Sequence, residues 1–376
     1  MLRKGVSSDP SERYYQAVKS FLLEPTPVQP HRHLYSFNFH VPAMDFAKIS
    51  RNKLIPGAPL SLNWFSSGSL TIRARCCLLN TAPPIPDTEF VTADTKWPPH
   101  IFMELNGNIL EFRRKAHYSK DLPVEVSDFV EGDNCLKISV PENQDQRIPS
   151  GYQPVIAVEV VETLNHRSII NLVQERGIIL ADVTREIIRA RLTNSSSDDE
   201  LALVDSDLSI NLVDPFTFSI FSIPVRGKAC NHLECFDLET WLNTRLGKKF
   251  VCVCPNVANG KCKKCREPSF ADKWRCPLCD GDARPYSLRI DGFLVEVREA
   301  LARDGRLNTK SILVSANGSW RAKEVEPSAA DDSDDDNDNG LGSVSWSLDS
   351  ARPSNNTSMA RPAQPQRGAI EIIELD

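Results

Sequence analysis

Eight of the chain's eleven cysteines fall between Cys230 and Cys279, spaced in a way that could hold a metal ion. Cys276-Pro277-Leu278-Cys279 is a C-x-x-C knuckle, which brings two thiolates to about 2.3 Å from one shared point. Cys230-x-His232 upstream supplies a second pair and completes a tetrahedron. A tetrahedron filled by protein ligands has no open position, so Cys230, His232, Cys276 and Cys279 predict a structural zinc rather than a hydrolytic one. Binding on the order of 10–16 kcal/mol would hold together a segment too small to fold by itself. Cys235 is read as a packed thiol rather than a spare ligand. Between the pairs, Cys252-x-Cys254 and Cys262-Lys263-Lys264-Cys265 could bind a second zinc, serve the first metal's loop, or bind none. Cys76, Cys77 and Cys135 lie in strand-like apolar runs and read as small buried hydrophobes.

Metal ligation presumes reduced thiols. No apolar run is long enough to span a bilayer, and no apolar stretch follows the basic residues of the N-terminus as a secretory signal would require. The expectation is a reducing intracellular compartment, where clustered cysteines bind metal rather than pair as disulfides. The net charge of −6 argues against nucleic acid as the main partner.

The elements that must position these residues are mixed. Asp9-Pro10-Ser11-Glu12 reads as a helix start, and Tyr14, Val18, Phe21 and Leu22 follow at helical spacing up to Pro25-Thr26-Pro27. From about His33 to Glu162 short apolar runs alternate with turn residues: 34–41, 70–77, 100–105, 135–140 and 155–161. Asn106-Gly107 is a hairpin dipeptide. This pattern predicts a β-rich, sandwich-like domain. Helices are expected over 168–176 and 182–191, then an acidic connector near 195–200. A helix with Ile290, Leu294, Val297 and Leu301 on one face closes the Cys-rich segment, and a strand over 311–314 precedes Asn317-Gly318. After Pro327 the composition turns acidic and polar, predicting a disordered tail.

Four motifs in order resemble the SP-RING (MIZ) domain of the PIAS/Siz family of SUMO ligases. They are Ile223-Pro224-Val225-Arg226-Gly227, Cys230-Asn231-His232-Leu233-Glu234-Cys235-Phe236-Asp237, Trp274-Arg275-Cys276-Pro277-Leu278-Cys279, and Leu288-Arg289-Ile290-Asp291-Gly292-Phe293. Upstream, Leu105-Asn106-Gly107-Asn108, Pro123-Val124-Glu125-Val126-Ser127 and 152–160 resemble that family's β-rich PINIT domain. The resemblance implies an α+β multidomain protein, a fungal-type variant with a Cys-rich insertion. Its expected parts are an N-terminal helix and Pro-rich linker (1–32), a PINIT-like domain (33–192) and an acidic linker (193–209). A small RING-like zinc domain (210–303), its C-terminal extension (304–327) and the disordered acidic tail (328–376) follow.

The resemblance implies a nuclear SUMO ligase with no nucleophile of its own. It would hold the charged conjugating enzyme, SUMO and a substrate lysine together, with Phe216, Pro277 and Leu278 contacting the conjugating enzyme. Residues 311–314 would help to hold SUMO. No counterpart of the family's DNA-binding SAP domain is evident, so direct DNA binding is not expected, nor is a membrane partner. Two positions depart from the family pattern: Asp214-Pro215 replaces Cys-Pro, and Val225 stands where a cysteine is frequent. The family keeps only the zinc site of the Cys230 set, so Phe216, Phe218, Ile220 and their neighbours are expected to hold the other half by packing. Ile370, Ile372, Ile373 and Leu375, flanked by acids, resemble a SUMO-interacting motif that adds a strand to SUMO's sheet edge. A zinc-stabilised adaptor without ligase activity is the competing reading, kept open by Asp214 and Val225. A ubiquitin ligase is disfavoured by the same motifs.

Overall fold

β-Branched and aromatic residues recurring between turn residues make the N-terminal half a strand region. The computed structural model describes residues 2–3, 13–29, 34–51, 62–63, 66–113, 120–141, 148–194, 207–247, 249–251, 261–266 and 268–323. Strands β1 (Tyr14–Pro27), β2 (Tyr35–His40), β3 (Leu70–Leu79), β4 (Phe102–Leu105), β5 (Asn108–Ile109), β6 (Val124–Glu125), β7 (Asp133–Ser139) and β8 (Gln153–Asn165) form two four-stranded sheets. Their orders are β1-β8-β3-β6 and β2-β7-β4-β5. Asn106 and Gly107 turn the β4–β5 hairpin with φ of 52° and 82°, the positive values that such a two-residue turn needs.

Alternation aims Leu70, Ile72, Ala74, Ile156, Val158 and Val160 of the first sheet at Phe39, Met103, Leu105, Leu136 and Ile138 of the second. This is the expected sandwich core, in which each buried aliphatic side chain contributes roughly 1.5–3 kcal/mol. The outer face of the first sheet is covered too. Cys77, Leu79, Val155 and Ala157 pack on Phe90 and Ile85. Buried Glu159 accepts from Arg73 Nε at 2.5 Å and Arg75 Nε at 2.8 Å, and Arg75 also donates to the Phe90 and Ala93 carbonyls. With its hydrogen-bonding capacity met this way, the charge cluster can sit between layers.

The second half begins with α1 (His166–Glu175), β9 (Ile178–Ile179) and α2 (Ala181–Asn194). β10 (Leu208–Asn211), β11 (Pro224–Gly227), β12 (Phe236–Asp237), α3 (Leu238–Thr244), β13 (Leu288–Asp291), α4 (Gly292–Arg303), β14 (Ser311–Val314) and β15 (Trp320–Ala322) follow. Sheet β9-β13-β11-β12 carries the Cys/His loops, and β10-β14-β15 forms a separate three-stranded sheet. Asn165, Asp237 and Asp291 cap α1, α3 and α4 through side-chain bonds to Ser168, Thr240 and Leu294 N–H.

The N-terminal helix is corrected: residues 14–27 are strand β1, paired along β8. Register shifts between Ile156 and Val158, Val158 and Glu159, and Val160 and Val161 break the two-residue alternation that would have marked it. As the edge strand of its sheet β1 also tolerates Pro25 and Pro27. The β-rich domain therefore starts before residue 33. Its end at 192 moves as well, because Ile169 and Val173 of α1 pack with Val225 and Trp274, and Ile188 of α2 packs with Phe293 and Leu294. The closing helix starts at Gly292, so Ile290 lies on β13 instead. Residues Met1–Glu324 form one unit. The acidic linker from 195 to 206, the acidic run 331–338 and Ile370, Ile372, Ile373 and Leu375 lie outside the described residues.

Candidate metal centre

The hairpin β11–β12 carries Cys230 and His232 in its loop, pinned at its base by Cys230 N–H on the Gly227 carbonyl at 3.0 Å and Lys228 N–H on Ser287 at 2.8 Å. The second loop is a tight knuckle. Cys276 N–H donates to Gly281 O at 2.7 Å, Asp280 N–H donates to Cys276 O at 3.0 Å, and Asp280 turns the chain with φ 57°. Gly227 sits where the two loops meet: a Cβ there would collide with the Asp282 carbonyl and press on Cys230 Sγ.

These loops bring Cys230, His232, Cys276 and Cys279 together, with all four ligand atoms within 4.8 Å of one another. Cys230 Sγ and Cys279 Sγ are 3.7 Å apart, and His232 Nε2 lies 3.3 Å from Cys276 Sγ. A tetrahedron with bonds of about 2.3 Å has edges of about 3.8 Å, so the donors stand at the spacing zinc requires. Glu234 O accepts from His232 Nδ1 at 2.8 Å. With Nδ1 engaged in this way, Nε2 is the nitrogen that faces the cluster, the usual arrangement of a ligating imidazole. The hydrogen bond from the Cys230 thiol, helped by His232 and the Leu278 and Cys279 N–H groups, draws the Cys276 thiol down to about 4 against the cost of burial. The same bond pushes Cys230 up, and the bond to Cys276 raises His232. Three thiols and one imidazole with one sulfur already favoured as thiolate fit a zinc ion.

Cys235 is buried and outside the cluster, its thiol on the Leu233 carbonyl. Cys76 and Cys77 are buried and Cys135 half-buried. Of the second set, Cys252 and Cys254 lie outside the described residues, while Cys262 and Cys265 belong by backbone to a strand, Lys261–Arg266, paired with Lys249–Val251.

The other half of the module is held only in part as expected. Phe218 is 77% exposed at φ 55°, and Phe216 is 38% exposed, its ring stacked 5.8 Å from Trp241. Ile220 alone of the three joins a core, packing against the cluster around Phe221 and Leu212. Two buried carboxylates do the rest. Asp214 Oδ2 accepts from Phe216 N, Thr217 N and Thr217 Oγ1 at 2.9–3.1 Å, and its Oδ1 accepts from Asp237 N at 2.9 Å. Asp237 in turn accepts from Ser222 N, Ile223 N and Thr240 N at 2.8–3.0 Å. Backbone N–H groups thus saturate carboxylates at a place where packing was expected, because a turn this tight exposes more donors than apolar side chains can satisfy.

Several supporting residues carried no role in the sequence reading. Arg226 donates to Asp291 Oδ2 from Nε and Nη2 and to His232 O from Nη1, tying the hairpin to the start of α4. Arg284 pairs with Asp282 beside the knuckle and reaches Val18 O on β1 at 3.1 Å. Trp274 Nε1 donates to Gln16 O at 2.7 Å. Arg73 bonds Asp272 at 2.6 and 3.2 Å, and Arg275 pairs with Asp94. Arg226, Trp274, Arg275 and Asp291 stand in the motifs quoted above, whereas nothing local marked Arg73 or Arg284. Leu278, 42% exposed, and half-buried Pro277 form the tip of the knuckle.

No family profile matches the sequence. Over 298 residues the chain is 24% identical to the E3 SUMO-protein ligase pli1 of Schizosaccharomyces pombe, covering 77% of this chain and 33% of that protein. Over 323 residues it is 20% identical to the human E3 SUMO-protein ligase PIAS3, covering 84% and 41% respectively. The chain therefore spans well under half the length of these curated relatives. Among solved structures, the S. cerevisiae SUMO E3 ligase SIZ2 aligns over 84% of this chain and 100% of that one, with 15% identity and a TM-score of 0.33. With the Cys/His tetrad assembled, the chain is similar over most of its length to the E3 SUMO-protein ligases PIAS3 and pli1.

Proposed function

We propose that the chain is a SUMO ligase whose Cys/His module binds one structural zinc and presents the conjugating enzyme and SUMO to a substrate lysine. The observation that carries this reading is the closed tetrad of Cys230, His232, Cys276 and Cys279, with Leu278 exposed in its knuckle and Phe216 exposed on the Asp214 turn. A site of this kind offers structure rather than a reactive position. The names of the relatives, E3 SUMO-protein ligases, support the same class of transfer. The reactive thioester belongs to the conjugating enzyme, and the ligase contributes orientation, worth roughly 7–11 kcal/mol of barrier in the best cases.

In this reading Phe216, Pro277 and Leu278 are the contact for the conjugating enzyme. Trp241 backs Phe216, and the Asp214 carboxylate fixes the Phe216 backbone, so the exposed ring is presented in one place. β14, residues 311–314, helps to hold SUMO. Ile370, Ile372, Ile373 and Leu375 bind SUMO by strand addition, and the acidic residues around them favour a basic rim. The β-rich half corresponds to a PINIT-like domain, the protein works in the nucleus, and Cys252, Cys254, Cys262 and Cys265 are candidates for a second ion.

Reconstituted transfer with activating enzyme, conjugating enzyme and SUMO tests this reading. The zinc-loaded chain should accelerate conjugation over the conjugating enzyme alone, and Phe216→Ala with Leu278→Ala should remove about tenfold or more of that gain while zinc content stays whole. No acceleration by a folded, zinc-loaded chain would assign it to the adaptor class instead.

A further inference from the structure

Away from the metal centre, the β-rich half carries a cleft of about 210 Å³ that the ligase reading leaves without a role. Its floor is apolar: Trp97, Pro98 and Ile101 are buried, and Phe112 stands edge-on to Trp97 with ring centroids 4.7 Å apart. Lys96, His100 and Arg113 line the remainder. Among the described residues, the one acid in the lining, Asp121, is already engaged by Trp97 N–H at 2.9 Å and by Lys96 at 3.8 Å. His100 holds a left-handed φ of 59°, a conformation that non-glycine residues adopt at a cost and that clusters at binding sites.

The charge is local and runs against that of the whole chain. Lys96, His100 and Arg113 line the cleft against the single carboxylate of Asp121 among the described residues, in a chain of net charge −6. Size narrows the occupant further. Clefts for free small molecules begin near ~300 Å³, so this one suits a single large side chain. Single-stranded nucleic acid needs an open aromatic face on which to stack. Here Trp97 is buried, its Nε1 donates to Leu122 O at 2.8 Å, and Phe112 meets it edge-on.

We propose that this cleft docks a short acidic peptide, which buries one aromatic or large aliphatic side chain against Trp97, Phe112 and Ile101 and sets its carboxylates against Lys96, His100 and Arg113. The site is independent of whether the chain transfers a modifier.

Fluorescence anisotropy on the intact, zinc-loaded chain tests it, using a labelled peptide of Asp and Glu with one central Trp. The same peptide with a central Ala should bind about tenfold or more weakly. Arg113→Glu should weaken the Trp peptide by about tenfold or more without moving the thermal midpoint, because Arg113 is exposed. Equal binding of the Trp and Ala peptides, wild-type binding by Arg113→Glu, or no binding of the Trp peptide overturns the proposal. Tighter binding of an oligothymidylate than of the peptide overturns it in favour of nucleic acid.

Discussion

The two turns that close the Cys/His module solve one problem by different chemistry. At the Cys230–Cys279 end, four soft donors converge on one point and their mutual spacing is what a metal ion needs. At the Asp214–Asp237 end, two buried carboxylates take up the loop's backbone N–H groups. With a metal bound, the first design would concentrate its stability in one ligand that can be removed. The second spreads it over many hydrogen bonds, each of about 1.5–3 kcal/mol because the acceptor is charged. A cysteine replaced by Asp214 therefore need not weaken the fold, provided the turn offers enough donors.

Breaking the metal end should have the largest effect. His232→Ala, Cys276→Ser or exhaustive chelation is expected to remove zinc and unfold the module, since structural zinc contributes on the order of 10 kcal/mol. The strands of the sandwich should keep their amide protection. Elemental analysis and hydrogen exchange on one sample check both statements, and full zinc content with an unchanged melting curve in either variant would refute the ligand assignment.

Asp214→Ala tests the other end. It strands the Phe216, Thr217 and Asp237 amides, and a loss of about 2–4 kcal/mol is expected in denaturant unfolding. Zinc content should remain whole. Parallel loss of zinc would mean that the two ends do not act separately.

A weaker, pH-dependent link attaches the module to the β-rich half through Asp94, which pairs with Lys120 at 2.8 Å and with Arg275. Burial pushes the Asp94 carboxyl up, but the Lys120 hydrogen bond and the Arg275 charge outweigh it and hold the group below its ordinary range. A folded value below the unfolded one of about 3.9 means that the contribution is complete above that pH and fades as pH falls through the folded value. The difference in unfolding midpoint between wild type and Asp94→Asn should therefore be present near pH 6 and close in acid. A difference that widens in acid would reverse the sign. The smallest effect belongs to Phe218→Asn. At 77% exposure and φ 55°, the change should stay within about ±0.5 kcal/mol, and a core-sized loss would restore the packing explanation.

Local features were legible before any fold was known. Cys-x-His and Cys-x-x-Cys name their own ligands because the chemistry lies within a few residues. Asn106-Gly107 marks its hairpin because the required φ values belong to those two residues. Cys235 is buried, in keeping with its reading as a packed thiol rather than a spare ligand. β1 was misread as a helix for a physical reason. Its pairing partner lies well over a hundred residues away on β8, and three register irregularities erase the alternation. Nothing within residues 14–27 outweighs the apparent 3.6-residue spacing of Tyr14, Val18, Phe21 and Leu22.

By itself, then, the amino-acid order determined which residues can ligate, where most strands and helices run, and the family to which the motifs point. Tertiary structure alone decided that residues 166–194 pack with the Cys/His module, that Asp214 and Asp237 close its other end, and that Arg73, Trp274 and Arg284 tie it to the first sheet. The division has one cause. Ligation and turn geometry depend on neighbours in sequence, whereas buried hydrogen bonds and ion pairs depend on which distant segments the two cores bring within reach.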